Sequence, residues 1–128
     1  MTVSVVGGVA LRGVTSCLPA RVEGVAAMAA RFGADAARRI ADATGIENRR
    51  LVAPGQCFSD LACDAAAGLL ADLQWSPDSV DILIAVTQTP DHVFPGVAPL
   101  LQHRLGLSRA VAAFDVGLGC SGYVYGLW

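Results

Sequence analysis

The alternation of apolar and polar positions along the chain predicts a series of short strands and helices. Residues 4–14, "SVVGGVALRGV", have the β-branched composition of a strand interrupted by glycines, and the following "CLPARVEG" (17–24) predicts a turn. Alanine-rich stretches at 24–32 and 34–44 have the apolar spacing of short helices, and Gly45 stands where a helix-ending glycine is expected. The start of the chain is therefore expected to hold a strand, a turn and a helical pair.

The longest helix is expected in the middle of the chain. The segment "IENRRLVAPG" (46–55) predicts an extended stretch and a Pro-Gly turn, and Ser59 is placed to cap a helix that runs to about Trp75. Ser76 and Pro77 then have the pattern of a new helix start. The inward face of the long helix is predicted to consist of Leu61, Ala65, Ala66, Leu69, Leu70 and Leu73.

Two more strands with a helix between them are predicted further along. Residues 80–87 are a β-branched apolar run expected to be a strand buried on both faces, and "RAVAAFDV" (109–116) is expected to be a second central strand. Residues 96–105 predict a helix that ends at Gly106. A "GLG" turn then leads into a helix that begins near Cys120, so the whole order predicts an α/β fold with a central sheet.

Cys120 is the main candidate for chemistry. It follows a strand and a glycine-rich turn and opens a helix, whose unpaired N–H groups and positive dipole end favour the nucleophilic thiolate. Its own backbone N–H can stabilise the oxyanion of an attacked thioester, and Ser121 and Gly122 keep the surroundings small. The alternative interpretation is a small buried apolar side chain, which is common for a cysteine outside a disulfide.

Two histidines are candidates to assist such a thiol. His103 lies in the helical pattern at 96–105, which is typical of a surface or packing residue, whereas His92 lies in a loop and can face a cavity. A nucleophilic cysteine usually has a histidine partner, but no spacing pairs either histidine with Cys120.

Composition restricts the class of partner. The 128-residue chain has a net charge of −2 and a mean hydropathy of +0.53, so it lacks the basic field that nucleic acid or an anionic membrane requires. No apolar run reaches the length of a membrane span. The four cysteines have neither CxxC nor zinc-site spacing, and no secretion signal is recognisable. We therefore expect reduced thiols, no metal and a cytoplasmic location.

Four stretches resemble the β-ketoacyl-acyl-carrier-protein synthase III family of thiolase-fold condensing enzymes. "AAFDVGLGCSGYVYGL" (112–127) is similar to that family's nucleophile segment, which reads close to A-F-D-V-x-x-x-C-x-G-F-x-Y-A-L. "LRGVTSCLP" (11–19) resembles its first strand and Leu-Pro turn, and "TGIENRRLVAPG" (44–55) resembles T-G-I-x-x-R-x-x-A-x-P. "VDILIAVTQTPDHVFPGVAPLLQHRLGL" (80–107) is similar to the strand, F-P loop and helix between them, so the resemblance covers most of the chain from about Ala10.

This resemblance implies the N-terminal half of a thiolase-like α/β fold and a role for several residues. Cys120 would take an acyl group from a thioester and pass it to a second substrate, which in the family is a malonyl carrier after decarboxylation. The family's F-P phenylalanine inserts at a dimer interface and lines the neighbouring acyl pocket. Phe94 matches it, and the alternative is a loop aromatic that plugs its own core. The substrate-binding residues implied by the match are Phe94, Gly119, Ser121, Thr44 and Arg39.

The resemblance also implies partners and a larger protein. Acyl-coenzyme A or an acyl carrier protein would be the donor, no further cofactor is implied, and the protein would be a homodimer. The family's catalytic histidine and asparagine lie in the second half of a much longer fold, and neither His92 nor His103 matches them. We therefore expect the chain to be part of a longer polypeptide, or to be completed by a second chain, and to be inactive alone.

The arginines bear on the identity of the acyl donor. Family members that use coenzyme A have a tryptophan before T-G-I that stacks on adenine and a basic residue directly preceding that motif. The matching positions here are Arg39 and Ala43. This favours an acyl group delivered by a carrier protein, or a specialised role such as acyl transfer to oxygen or nitrogen. Arg38, Arg39, Arg49 and Arg50 would meet phosphates or an acidic carrier, or form a solvated basic face.

The leading hypothesis is thus an acyltransferase or condensing enzyme of fatty acid or polyketide metabolism, with Cys120 as nucleophile. One alternative is a non-catalytic thiolase-fold subunit that dimerises with an active partner. Another is an unrelated α/β binding domain in which Cys120 is structural.

Overall fold

A computed structural model describes residues 5–128 of the chain. Within that range no helix is long and apolar enough to cross a membrane. The described residues divide into two compact units, a smaller one formed by Leu18–Cys57 and a larger one formed by 5–17 and 58–128. The elements, in order, are β1 (Arg21–Gly24), α1 (Val25–Phe32), α2 (Ala34–Thr44), β2 (Asn48–Leu51), α3 (Phe58–Leu73), a 3-10 turn (Pro77–Ser79), β3 (Ile82–Val86), α4 (Val97–Arg104), β4 (Ala112–Val116) and α5 (Gly122–Leu127).

The smaller unit combines a strand pair with a helical pair. β1 and β2 are antiparallel, with Gly24 opposite Asn48, and α1 and α2 pack against each other between them in sequence. Ala37 on α2 is fully buried. Gly33 and Gly45 follow the two helices with φ of 88° and 69°, a region that favours glycine because it lacks a Cβ. Both helices and the helix-ending glycine at 45 are as the sequence predicted.

β1 is a strand where the sequence predicted a turn. β1 does not show the alternation of apolar and polar residues that predicts a strand, because a charged residue, Glu23, occupies a buried position. Its hydrogen-bond partner is distant in sequence. The Glu23 carboxylate accepts hydrogen bonds from Nε of Arg49, at 2.8 Å, and from Nη2 of the same side chain. Arg49 is the residue directly opposite Glu23 on β2, so the strand depends on a cross-strand ion pair rather than on apolar alternation.

The larger unit is built on a parallel strand pair with a helical crossover. β3 and β4 pair from Ile82 opposite Ala112 to Val86 opposite Val116, and α4 connects them. α3 and α4 pack against each other, and α4 contacts both strands. The buried core consists of Ala85, Val97, Ala98 and Leu101, with Phe58, Ala62, Cys63, Leu83, Leu105 and Ala113 packed around it. The predicted α/β class is therefore confirmed, with these elements close to their expected positions.

The expectation that β3 is buried on both faces is wrong for the described residues. Leu83 and Ala85 face the core, but Ile82 and Ile84 on the opposite face are 59% and 36% exposed. Only Val86, at the end of that face, is covered, because α5 lies against it. The described elements supply a single short helix to this face, and that is too little to cover the strand.

The strand expected at 4–14 is also absent from the described part of that segment, 5–14, and residue 4 lies outside the described range. A strand needs a hydrogen-bonded neighbour, and β3 and β4 pair with each other in a two-stranded sheet. The segment lies along α3 instead. Thr15 Oγ1 donates to the Ala65 carbonyl at 2.8 Å, and a Cβ on Gly13 would meet the side chain of Leu69.

Ser59 is not the N-cap of the long helix, because α3 begins at Phe58. Ser59 lies in the first turn, where its backbone N–H donates to Oδ1 of Asp91 at 3.2 Å. An aspartate from the loop after β3 thus satisfies one of the N–H groups in the first turn of α3, which have no partner within the helix. The start at Ser76 is confirmed, since its Oγ accepts the Asp78 N–H at 3.3 Å at the head of the 3-10 turn.

Candidate active site

Cys120 lies in a tight turn between β4 and α5. The backbone N–H of Gly122 donates to the Gly119 carbonyl at 2.8 Å, so Cys120 and Ser121 form the middle of a hydrogen-bonded turn. α5 then begins at Gly122, two residues after the cysteine. Cys120 is exposed, which contradicts the interpretation of a small buried apolar residue in this chain. The thiol is therefore accessible from solvent at the point where β4 ends.

The glycines around the thiol serve close packing rather than unusual backbone angles. Neither Gly117 nor Gly119 has a positive φ, so neither position requires glycine for its backbone conformation. A Cβ on Gly119 would lie 3.0 Å from Oε1 of Gln88, and a Cβ on Gly122 would lie 2.8 Å from Cγ1 of Val86. The absence of a side chain at these positions lets the turn and α5 approach the end of β3.

An open groove of about 350 Å³ lies beside this turn. It is at the carboxyl ends of the parallel strands, where ligands commonly bind in α/β sheets. The Thr87 N–H donates to the Val116 carbonyl at 3.2 Å and so extends the strand pairing to the edge of the groove. The groove is lined by Val86, Thr87, Gln88, Leu118, Gly119 and Tyr123. It combines apolar walls with two polar side chains next to the residue that precedes Cys120.

Phe94 projects from the loop between β3 and α4. Its side chain is 89% exposed, and that of the preceding Val93 is 99% exposed. The alternative interpretation, a loop aromatic that plugs its own core, is therefore wrong for the described residues. The loop thus presents two adjacent large apolar side chains to solvent.

Neither His92 nor His103 is among the residues that line the groove beside Cys120. His92 is exposed in the loop before Phe94, and His103 is exposed on α4. His103 lines a separate shallow groove with Pro99 and Gln102. Across residues 5–128, no group of three or more histidine, cysteine, aspartate or glutamate side chains is placed to hold a metal ion.

Two of the candidate substrate-binding residues lie on α2 in the smaller unit. Thr44 closes that helix, since its Oγ1 donates to the Ile40 carbonyl at 2.7 Å and accepts the Ile46 N–H at 3.2 Å. Arg39 is exposed on the same helix. The neighbouring Arg38 lines an open groove of about 370 Å³ together with Val25, Ala41, Asp42, Glu47 and Asn48.

The other two arginines of the predicted basic face have partners inside the smaller unit. Arg49 is bound to Glu23, and Nη1 of Arg50 donates to the carbonyls of Pro19 and Ala20 at 3.2 and 3.3 Å. These contacts restrict both guanidinium groups. Arg38 and Arg39 are therefore the pair that stays available for an external anion.

Similarity to known proteins covers nearly the whole chain. Over 118 residues it is 42% identical to the 3-oxopimeloyl-[acyl-carrier-protein] synthase of Rhodothermus marinus, a match that takes in 92% of this chain. It superposes on the crystal structure of the 3-oxoacyl-(acyl-carrier protein) synthase from Burkholderia xenovorans LB400 with a TM-score of 0.86 and 40% identity, over 91% of this chain. The chain is similar to the N-terminal part of β-ketoacyl-acyl-carrier-protein synthases of the synthase III type, which have a thiolase-like fold.

The synthases that match this chain are much longer than its 128 residues. The β-ketoacyl-[acyl-carrier-protein] synthase III of Alkalilimnicola ehrlichii is 50% identical over 88 residues, which are 69% of this chain and 27% of that protein. The match to the R. marinus synthase covers 34% of its length, and that to the B. xenovorans synthase covers 33%. The chain thus spans about a third of the length of these relatives. No family model matches it. The resemblance to the N-terminal part of the family, and the thiolase-like fold class, are confirmed.

The sequence did not predict the residues that other elements contribute near the Cys120 turn. Thr87 and Gln88 line the groove, and a signal was present, because they are polar residues directly after an apolar strand. Asp115 was noted only as a letter of the nucleophile motif. Its Oδ1 accepts the backbone N–H groups of Val97 and Ala98, each at 3.0 Å, so it holds the start of α4.

Proposed function

We propose that the protein is a condensing acyltransferase of the synthase III type in which Cys120 carries the acyl group. The observation that carries the proposal is the exposed thiol in the Gly119–Gly122 turn, beside a groove at the carboxyl ends of β3 and β4, in a chain similar to these synthases. An accessible cysteine is what a nucleophile requires, and the small neighbours leave room for a thioester.

The proposed reaction has two stages. In the first, the Cys120 thiolate attacks the carbonyl carbon of an acyl thioester, the new Sγ–C bond forms, and the donor's C–S bond breaks to release its thiol. The backbone N–H of Cys120 donates to the oxyanion of the tetrahedral intermediate. In the second, a malonyl thioester loses CO₂, and its carbanion attacks the acyl carbon. A C–C bond forms and the Cys120 thiolate leaves. In the family the histidine and asparagine of this stage lie in the second half of the fold.

The proposed partners follow from the family and from two surfaces. An acyl carrier protein is the favoured acyl donor over free coenzyme A, because Arg39 stands where coenzyme A users have tryptophan and is exposed beside Arg38. The exposed Phe94 fits a second copy of the chain, so we propose a homodimer in which it lines the partner's acyl pocket. Gly119 and Ser121 would bound the thioester, Thr44 would lie in the donor region, and the location would be cytoplasmic.

The proposal is tested by intact-mass measurement on the full-length polypeptide that contains this chain. Incubation with acetyl-coenzyme A, octanoyl-coenzyme A or the same acyl groups on a carrier protein should add one acyl mass. Cys120→Ser should abolish the adduct, because serine lacks an activated thiolate. Cys17→Ser is the matched control, since Cys17 is half-buried and remote in sequence from the turn, and it should keep the adduct.

Two results would contradict this function. An adduct that persists in Cys120→Ser would place the nucleophile elsewhere. A full-length protein that takes up no acyl group from any of these donors would favour the non-catalytic partner subunit. The 128 residues alone should yield no condensation product by product assay, because the second-stage histidine and asparagine of the family are not among them.

A further inference from the structure

The loop from 87 to 96 carries the most exposed apolar side chains near the site. Val93 and Phe94 are 99% and 89% exposed, so packing within the chain contributes little to where they stand. Their position is set by the backbone on either side. Each end of the loop is held by an aspartate carboxylate.

Asp115 holds the end of the loop that follows Phe94. Its Oδ1 accepts hydrogen bonds from the N–H groups of Val97 and Ala98, each 3.0 Å long, and these two residues are 1% and 0% exposed. They are the first two residues of α4, where backbone N–H groups have no partner within the helix. A carboxylate at that position is stabilised by charge-assisted bonds and by the helix dipole. The start of α4 is thereby fixed to β4.

Gly96 shows how closely the carboxylate fits. A Cβ built on Gly96 would lie 1.7 Å from Oδ2 of Asp115, so no other residue fits there while the carboxylate keeps its place. Gly96 is only two residues from Phe94. A shift of the Asp115 carboxylate would therefore move the backbone at Gly96, and with it the nearby Phe94.

The other end of the loop is held by Asp91. Its Oδ1 accepts the backbone N–H of Ser59 at 3.2 Å, at the start of α3. The Ser59 hydroxyl accepts a hydrogen bond from Arg104 Nη1 at 2.9 Å, and that guanidinium also pairs with Asp60 at 2.9 Å. The loop is therefore tied to α3 and α4 before Phe94, and to β4 after it.

Asp115 also stands five residues before Cys120 on the strand that ends in the nucleophile turn. We propose that Asp115, with Gly96, is a positioning residue for acyl-chain selection, because it fixes to β4 the loop whose Phe94 would line the acyl pocket of the partner copy. The inference rests on the proposed function, in which Phe94 lines an acyl pocket. Asp115 would influence the choice of acyl chain through the position of Phe94, without touching the substrate.

The test measures the rate at which Cys120 in the full-length protein is acylated by octanoyl and acetyl groups carried on an acyl carrier protein. The ratio of the two rates should change by about tenfold in Asp115→Ala and in Gly96→Ala, because a displaced aromatic alters a pocket that discriminates by chain length. Asp115→Asn keeps one acceptor oxygen and should give a smaller change in the same direction. Asp72→Ala, an exposed aspartate on α3, should leave the ratio unchanged.

A double variant separates positioning from general destabilisation. If Asp115 acts through Phe94, Phe94→Ala/Asp115→Asn should have the same ratio as Phe94→Ala alone, whereas independent effects would multiply. Asp115→Asn and Gly96→Ala carry the test if Asp115→Ala does not fold. Ratios within about twofold of wild type in folded variants, or multiplying effects, would overturn the inference while leaving the Cys120 adduct intact. A wild-type protein without any adduct would instead reject the proposed function itself.

Discussion

Among residues 5–128, Glu23 is the one charged residue that is buried. Its side chain is 7% exposed, and it is bound by Arg49 across the β1–β2 pair. The hydrogen bonds from Arg49 lower the pKa of Glu23 below its ordinary value of 4.5, while burial opposes this shift. A carboxyl whose pKa is lower in the folded state adds stability above its unfolded pKa. That stability is lost as the pH falls through the folded pKa.

Glu23→Gln should therefore lower the midpoint temperature of thermal unfolding at neutral pH. It should also make that temperature fall less as the pH is lowered. The substitution removes the charge that Arg49 requires and leaves a guanidinium without its anion. Thermal unfolding followed by circular dichroism, from neutral pH down through 4.5, measures both effects. Glu47→Gln is the matched control because Glu47 is exposed in the same unit, and it should follow the wild type. A Glu23→Gln curve parallel to the wild-type curve would show that the pair contributes no pH-dependent stability.

At the scale of residues, the sequence predicted the role of those whose neighbours in sequence define a local structure. Cys120 was located by the strand, the turn and the helix on either side of it, and Gly45 by the end of α2. Glu23 and Asp115 were missed because their partners lie 26 and 18 or 17 positions away. A cross-strand ion pair leaves no local pattern in the sequence, and neither does a helix whose first N–H groups are bound by a side chain from a strand.

At the scale of elements, α5 is fitted to β3 by glycine. A Cβ on Gly122 would lie 2.8 Å from Val86 Cγ1 and 3.3 Å from Leu118 Cβ, and a Cβ on Gly126 would lie 2.8 Å from Val86 Cγ2. Val86 is branched at Cβ, which restricts its χ1 angle, so its side chain cannot move aside easily. The short helix depends on this close approach to lie beside the groove.

Gly122→Ala should destabilise the larger unit by about 1–3 kcal/mol, as overpacking does in well-packed cores. Gly68→Ala is the matched control, since Gly68 lies within α3 and a Cβ there meets nothing within 4 Å. The control should stabilise the protein by about 0.4–1 kcal/mol, because alanine restricts the unfolded chain. Chemical denaturation of the full-length protein measures both. A Gly122→Ala protein as stable as wild type would mean that α5 can shift without cost.

Elements were predictable where their stabilising contacts are local. α1, α2 and α4 begin and end near the predicted residues because spacing and glycines define helices within a few turns. Residues 5–14, the described part of the predicted strand 4–14, have the composition of a strand. A strand forms only with a neighbour, and the described chain has none that pairs with them. β1 is the converse case, a strand that pairing with β2 creates despite polar side chains.

At the scale of the whole molecule, the sheet of the larger unit has an uncovered apolar face. Ile82 and Ile84 on β3 and Phe114 on β4 are 59%, 36% and 47% exposed. Exposed apolar surface of this kind is typical of a contact with another part of a protein. The chain matches 34% of the length of the R. marinus synthase, and we propose that in a polypeptide of that length the other residues cover this face.

Ile82→Thr should then have different effects in the short and the full-length polypeptides. In the 128-residue chain alone the side chain is exposed, so the change should alter stability by less than about 0.5 kcal/mol and reduce self-association seen by light scattering. In the full-length protein it should cost about 1–3 kcal/mol, because a hydroxyl replaces apolar atoms in a covered contact. Leu83→Thr, on the opposite face and packed against the core, should destabilise both forms. Equal effects of Ile82→Thr in the two polypeptides would mean that this face stays in solvent.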